Sequence, residues 1–109
     1  MSFMNDKVKK VINILNKKLK EKFSDFKGAY LYGSYAKNTS HADSDIDIVA
    51  LFDIAPDRKK RGLIWRIIGR IEAQNDVYID LHPLTEEELN INEIYYDEVV
   101  NKGVFYDAA

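Results

Sequence analysis

The chain has 109 residues, 46% of them apolar, and a formal net charge of −2. That suits one globular domain and leaves little for a second, and the apolar share argues against disorder. With no cysteine, disulfides, thiolate nucleophiles and zinc–thiolate sites are excluded, and no apolar run approaches the roughly 20 residues of a membrane span.

The charged start (Asp6, Lys7, Lys9, Lys10) has no apolar signal core, so a cytoplasmic protein is expected. Charge is unevenly spread. Residues 1–70 hold 15 Lys/Arg against 8 Asp/Glu, and residues 71–109 hold 1 against 10. A solvated, lysine-rich helix face explains the first half more simply than a nucleic-acid surface does. The acidic last third suits a basic partner.

Residues 5–23 read as a helix, because Val8, Val11, Ile12, Leu15, Leu19 and Phe23 recur at helical spacing. Ser24–Lys27 reads as a turn and Gly28–Tyr32 as a strand ending at Gly33. Ser34–Lys37 is expected to open a short helix capped by Ser34, and Asn38–Ser44 to form a polar loop. Asp45–Phe52 alternates and then turns apolar, which predicts a strand buried on one or both faces.

Pro56 and Asp57 open a second long helix, with Leu63, Ile64, Ile67, Ile68 and Ile71 as its stripe and Asn75–Asp76 as its stop. Val77–Leu81 is a third strand ended by Pro83. Thr85 and Glu88 have capping-box spacing. A further helical piece covers Asn92–Asn101 with Gly103 as its C′ residue, and Val104–Tyr106 adds a short edge strand. Helices alternating with strands predict an α/β (α+β) fold, a small mixed sheet flanked by helices, in a single domain over residues 1–109.

Three features carry chemistry together. Gly33-Ser34 lies between a strand and the expected short helix. Glycine there permits a sharp turn and close approach of a ligand, and a helix N-terminus offers N–H donors suited to phosphate. Alone, Gly-Ser is an ordinary turn. The second feature is Asp45-Ile46-Asp47. Residues two apart in a strand share a face, about 6.6 Å apart from the strand rise. Two carboxylates there repel by roughly 2.5 kcal/mol at an effective dielectric of about 20. A divalent cation relieves that repulsion; the alternative is two surface acids at a wet strand end. The third is Asp80, set among apolar neighbours, where an unpaired carboxylate is costly. It either joins the pair around metal ions, as phosphoryl and nucleotidyl transfer require, or bonds a neighbouring turn.

Asp43, Asp45 and Asp47 imitate half a calcium loop, but Ile48 and Ile54 stand where that loop needs Gly and Glu. His41 and His82 lack a spaced partner for metal binding. Trp65 and the Tyr95-Tyr96 pair read as core or as interface anchors.

The stretch Gly33-Ser34-Tyr35-Ala36-Lys37-Asn38, followed by Ser44-Asp45-Ile46-Asp47-Ile48, resembles the Gly-Ser-x-Ala-x-Gly and Ser-Asp-x-Asp signature of polymerase-beta-like nucleotidyltransferases. The short length is similar to that of the minimal nucleotidyltransferases, often paired with small helical HEPN toxins. By that resemblance, Gly33, Ser34 and Ser44 hold the triphosphate, and Asp45, Asp47 and Asp80 are the catalytic, metal-binding carboxylates, with magnesium as the ion. The implied reaction moves AMP from ATP onto a hydroxyl, a tyrosine of a HEPN toxin, and releases pyrophosphate. Asn38 replaces the family's glycine, a departure that bears on activity, although Asn tolerates left-handed backbone. The alternative is a non-catalytic antitoxin that masks its partner. A HEPN-type partner in a hetero-oligomer is expected; membrane and nucleic acid are not.

Overall fold

The computed structural model describes residues 6–36 and 45–108. Its elements are α1 (Asp6–Lys22), β1 (Phe26–Tyr32), β2 (Ile46–Phe52), α2 (Arg58–Asn75), β3 (Ile79–Leu84), α3 (Glu86–Ile91), α4 (Glu93–Tyr96), a π-helical turn over Asp97–Asn101, and β4 (Val104–Asp107). The expected loop Asn38–Ser44 lies outside the described residues.

The four strands form one mixed sheet in the order β3-β2-β1-β4. β1 pairs antiparallel with both β2 and β4, and β2 pairs parallel with β3. A parallel pair needs a long crossover, and α2 supplies it. β2 is an inner strand covered on both faces, which is why its sequence runs apolar. Ile46, Ile48, Ala50 and Phe52 face α1 and α2, while Val49 and Leu51 face Leu89 and Val99 on the other side. The main core joins the sheet to Val11, Ile12, Leu15 and Leu19 of α1 and Ile64 and Ile68 of α2. Each such side chain contributes about 1.5–3 kcal/mol on full burial.

Local signals set most boundaries. Asp57 caps α2 by accepting from the Lys60 amide at 2.8 Å, and Asp76 ends it in a left-handed conformation at φ 52°. Thr85 and Glu88 form the expected capping box, and Asn92 caps α4 by accepting from the Tyr95 amide. β4 is present as expected, anchored from α1 by Asn16, whose side-chain amide donates to the carbonyls of Tyr106 and Asp107.

Four expectations are corrected. Residues 33–36 form a turn instead of the first turn of a helix, so Ser34 does not cap one. β1 starts at Phe26, inside the expected turn, because the Phe26 ring packs on Phe52 at 5.4 Å and Phe26 pairs with it across the ladder. β3 starts at Ile79 and runs through Pro83 to Leu84. It is an edge strand, where proline's missing N–H breaks no second ladder. Gly103 is not left-handed; a side chain there would strike the carbonyl oxygens of Val99 and Leu31. Among the described residues no helix is long and apolar enough to cross a membrane.

Candidate active site

Alternation along the strands decides what faces the site. Even-numbered residues of β2 point to α1 and α2, so Asp47 points to the opposite side. On β3, Leu81 packs in the main core, so Asp80 shares the face of Asp47. In register, Asp47 stands between Tyr32 of β1 and Asp80 of β3. Asp45 is exposed and immediately precedes β2. The two antiparallel and parallel pairings thus gather the end of one strand and the starts of two others.

Gly33 follows β1 with φ 71°, a left-handed value that favours glycine. A Cβ on it would overlap the Asp47 carboxylate. Glycine is therefore needed twice, for the backbone and for the acid behind it. Ser34 is in the same turn, half-buried.

Burial pushes the Asp47 carboxyl above the usual range, and the charges of Asp80 and Asp45 push it further. The three acids therefore feel one another electrostatically. Asp80 accepts a contact from His82 Nε2 at 3.3 Å, with both side chains about half exposed. Among the described residues no three His, Asp or Glu side chains, as they stand, form a group ready to hold a metal ion. The donor chemistry nonetheless fits a hard divalent cation. It is all oxygen and clustered in register, and its own repulsion is what a cation would remove.

Two residues of the site are not legible as site residues from the sequence, which marks Tyr95 only as a core or interface candidate. Tyr32 and Tyr95 share a hydrogen bond between hydroxyls at 3.1 Å, with their rings edge to face. Burial raises the Tyr32 phenol well above its ordinary range, helped by Tyr95 and by the charges of Asp47 and Asp80. Burial likewise raises Tyr95. Both stay neutral; one hydroxyl donates to the other, and the accepting one keeps its proton free beside the carboxylates. Tyr32 was detectable only as the residue before Gly33. Tyr95 reaches the site because Asn92 sets the start of α4. Ser44 and Asn38 lie outside the described residues, as does His41.

The model of the nucleotidyltransferase domain matches residues 12–104. The chain belongs to the nucleotidyltransferase domain family. A Methanocaldococcus jannaschii protein, provisionally named a protein adenylyltransferase, is 32% identical over 74 residues, covering 68% of this chain and 72% of that protein. A toxin–antitoxin structure with AMP-PNP superposes with a TM-score of 0.60 at 25% identity, covering 95% of this chain and 71% of that one. A chain from the complex of a tri-AMPylated Shewanella oneidensis HEPN toxin with its MNT antitoxin gives a TM-score of 0.60. Its 22% identity, over 94% of this chain and 71% of that one, speaks to the fold alone. The nucleotidyltransferase thus has the sheet and helices of its relatives, and the Gly-Ser turn and acid pair lie within the matched span.

Proposed function

We propose that this nucleotidyltransferase transfers AMP from magnesium-ATP to a tyrosine hydroxyl of a HEPN-type toxin and releases pyrophosphate, acting as an antitoxin. The observation that carries the reading is the register placing Asp47 beside Asp80, with Asp45 two residues ahead and Gly33 against Asp47. The AMP-PNP complex and the AMPylated toxin among similar structures support the choice of nucleotide and acceptor.

Asp45, Asp47 and Asp80 would hold the magnesium, which supplies charge neutralisation on the triphosphate. Gly33 and Ser34, with Ser44, receive the phosphate tail through backbone and hydroxyl donors. The acceptor oxygen attacks the α-phosphorus, the bond to the bridging oxygen of the β-phosphate breaks, and pyrophosphate leaves. Asp80 takes the proton of the attacking hydroxyl. Tyr32 and Tyr95 stay protonated, and the one that accepts within the pair donates its own proton on the flank of the site, where negative charge accumulates.

The test incubates the chain with its copurified partner and magnesium-ATP, then weighs the partner. Adenylate mass on a tyrosine is expected, and it should vanish in an Asp45→Asn, Asp47→Asn variant. No added mass with any nucleotide, or transfer persisting in the variant, refutes the reading. Asn38 in place of the family's glycine and the acidic last third of the chain favour masking as the second reading. A folded Asp45→Asn, Asp47→Asn variant that still neutralised the toxin would decide for it.

A further inference from the structure

On the far side of the sheet from the carboxylates, α1 and α2 present a face of another kind. Arg58, Lys59, Arg61, Arg66 and Arg70 of α2 are all exposed, and none makes an ion pair among the described residues. Only Lys60 is taken, by Asp25 at 2.7 Å. The first turn of α2 contains no acid, and none follows until Glu72. A helix N-terminus disfavours cations; the Asp57 cap and the Lys60–Asp25 pair offset this in the first turn, but among the described residues no carboxylate pairs with Arg58, Arg61, Arg66 or Arg70.

The clustering extends beyond one helix. Lys22, at the end of α1, joins Arg66 and Arg70 around a surface hollow of about 240 Å³ floored by Leu63 and Ile67. Three like charges around one apolar-floored hollow repel unless an anion lies among them. Lys18, one helical turn before Lys22 on α1, is also exposed.

Trp65 is 48% exposed on the same helix. It lines a second hollow with Arg58, Arg61 and Gly62. Gly62 and Gly69 face open space. Mid-helix glycine is destabilising, and no internal packing demands it here. The helix backbone is left bare between the cations, so a ligand chain is able to lie close to it.

From Arg58 to Arg70 the run spans about 18 Å at the helical rise. A row of cations this long without one acid complements a ligand of regularly repeated negative charge. An exposed aromatic among arginines adds a stacking platform for an unpaired base. We propose that the outer face of α2, joined by the C-terminal end of α1, binds the sugar–phosphate backbone of single-stranded nucleic acid, with Trp65 stacking on a base. The acidic site lies on the opposite face, so the two surfaces do not compete. The proposal does not depend on the transfer reaction.

The experiment measures binding of the full chain to fluorescein-labelled single strands of oligo(dT) or oligo(U), about 20 nucleotides long to exceed one site. The comparison probes are a duplex of the same length, poly-glutamate and phosphatidylserine vesicles. The logarithm of the affinity should fall linearly with the logarithm of salt, with slope about −3 for about four phosphate contacts. In Arg66→Gln, Arg70→Gln the slope should shrink by about 1.4. Trp65→Ala should weaken binding about tenfold and leave the slope unchanged. Circular dichroism melts check the fold of each variant. Should Trp65→Ala melt early, the arginine pair alone carries the test, since both side chains are exposed and glutamine keeps the aliphatic stem that borders Leu63 and Ile67. Absence of saturable binding at low salt, or an unaltered slope in the arginine variant, overturns the proposal. So does duplex, poly-glutamate or vesicle binding as tight as that of the single strands.

Discussion

The two faces of the sheet divide the labour. The face under α1 and α2 is dry and apolar, with Val11, Ile12, Leu15 and Ile64 fully buried. The face under α3 and α4 has a smaller apolar cluster, and its outer end holds carboxylates, phenols and an imidazole in partial contact with water. Stability is concentrated on the first face, and the second accepts desolvated and mutually repelling acids. The contrast shows why a small domain is able to keep a strained site: β2 is shared, so the same strand that anchors the core displays Asp47 on its other side.

If that division holds, breaking the first face should unfold the chain. Leu15→Ala is expected to cost about 3 kcal/mol, a fall in Tm of roughly 12–20 °C, read by thermal melt. The matched change on the other face, Leu89→Ala, should cost less, because that cluster is smaller and partly wet.

Gly33→Ala sharpens the second face. The new Cβ strikes the Asp47 carboxylate, and the left-handed backbone opposes any side chain. Transfer should fall about 100-fold, the cost of an ångström-scale misplacement, with a loss of about 1–2 kcal/mol in stability. Full activity in steady-state assays would show that the turn is not part of the site.

Asp25 tests the first face by pH. Burial opposes its charge, but hydrogen bonds from Lys60 and from the Ile54 amide, with the Lys60 charge, outweigh it and hold the carboxyl below its usual range. A depressed carboxylate stabilises above its unfolded pKa and loses that contribution as pH falls through the folded one. Lys60→Met should therefore cost about 1–2 kcal/mol at neutral pH, and the difference from the unmodified chain should shrink on acidification below about pH 4.

Asp47 has the opposite sign and the smallest effect. Its raised pKa favours the neutral form in the fold, so the stabilisation belongs to low pH and is lost as pH rises through the folded value. Without metal, Asp47→Asn should raise the melting temperature at neutral pH by about 1–3 °C, a few tenths of a kcal/mol after solvent screening. Magnesium and ATP should stabilise the unmodified chain but not the variant. A variant that melts lower without metal would contradict the repulsion among the three acids.

Much of this was legible in the sequence. The helical period of Val8 to Leu19 and the helix starts at Asp57 and Thr85 are local, because a helix and its ends are decided by residues three or four apart. The period of two predicted a shared face for Asp45 and Asp47, but Asp45 stands just ahead of β2 and is exposed. Other features were not local. Whether Asp80 meets Asp47 depends on the register of β3 against β2, which only α2's length and packing set. Tyr32 meets Tyr95 across 63 residues of sequence, and Phe26 enters β1 because Phe52 waits for it. Pro83 stays in a strand only because β3 is an edge. Sequence patterns specify which side chains share a face; which faces meet, and in what register, is decided by the joint packing of segments far apart in the chain, where no short pattern reaches.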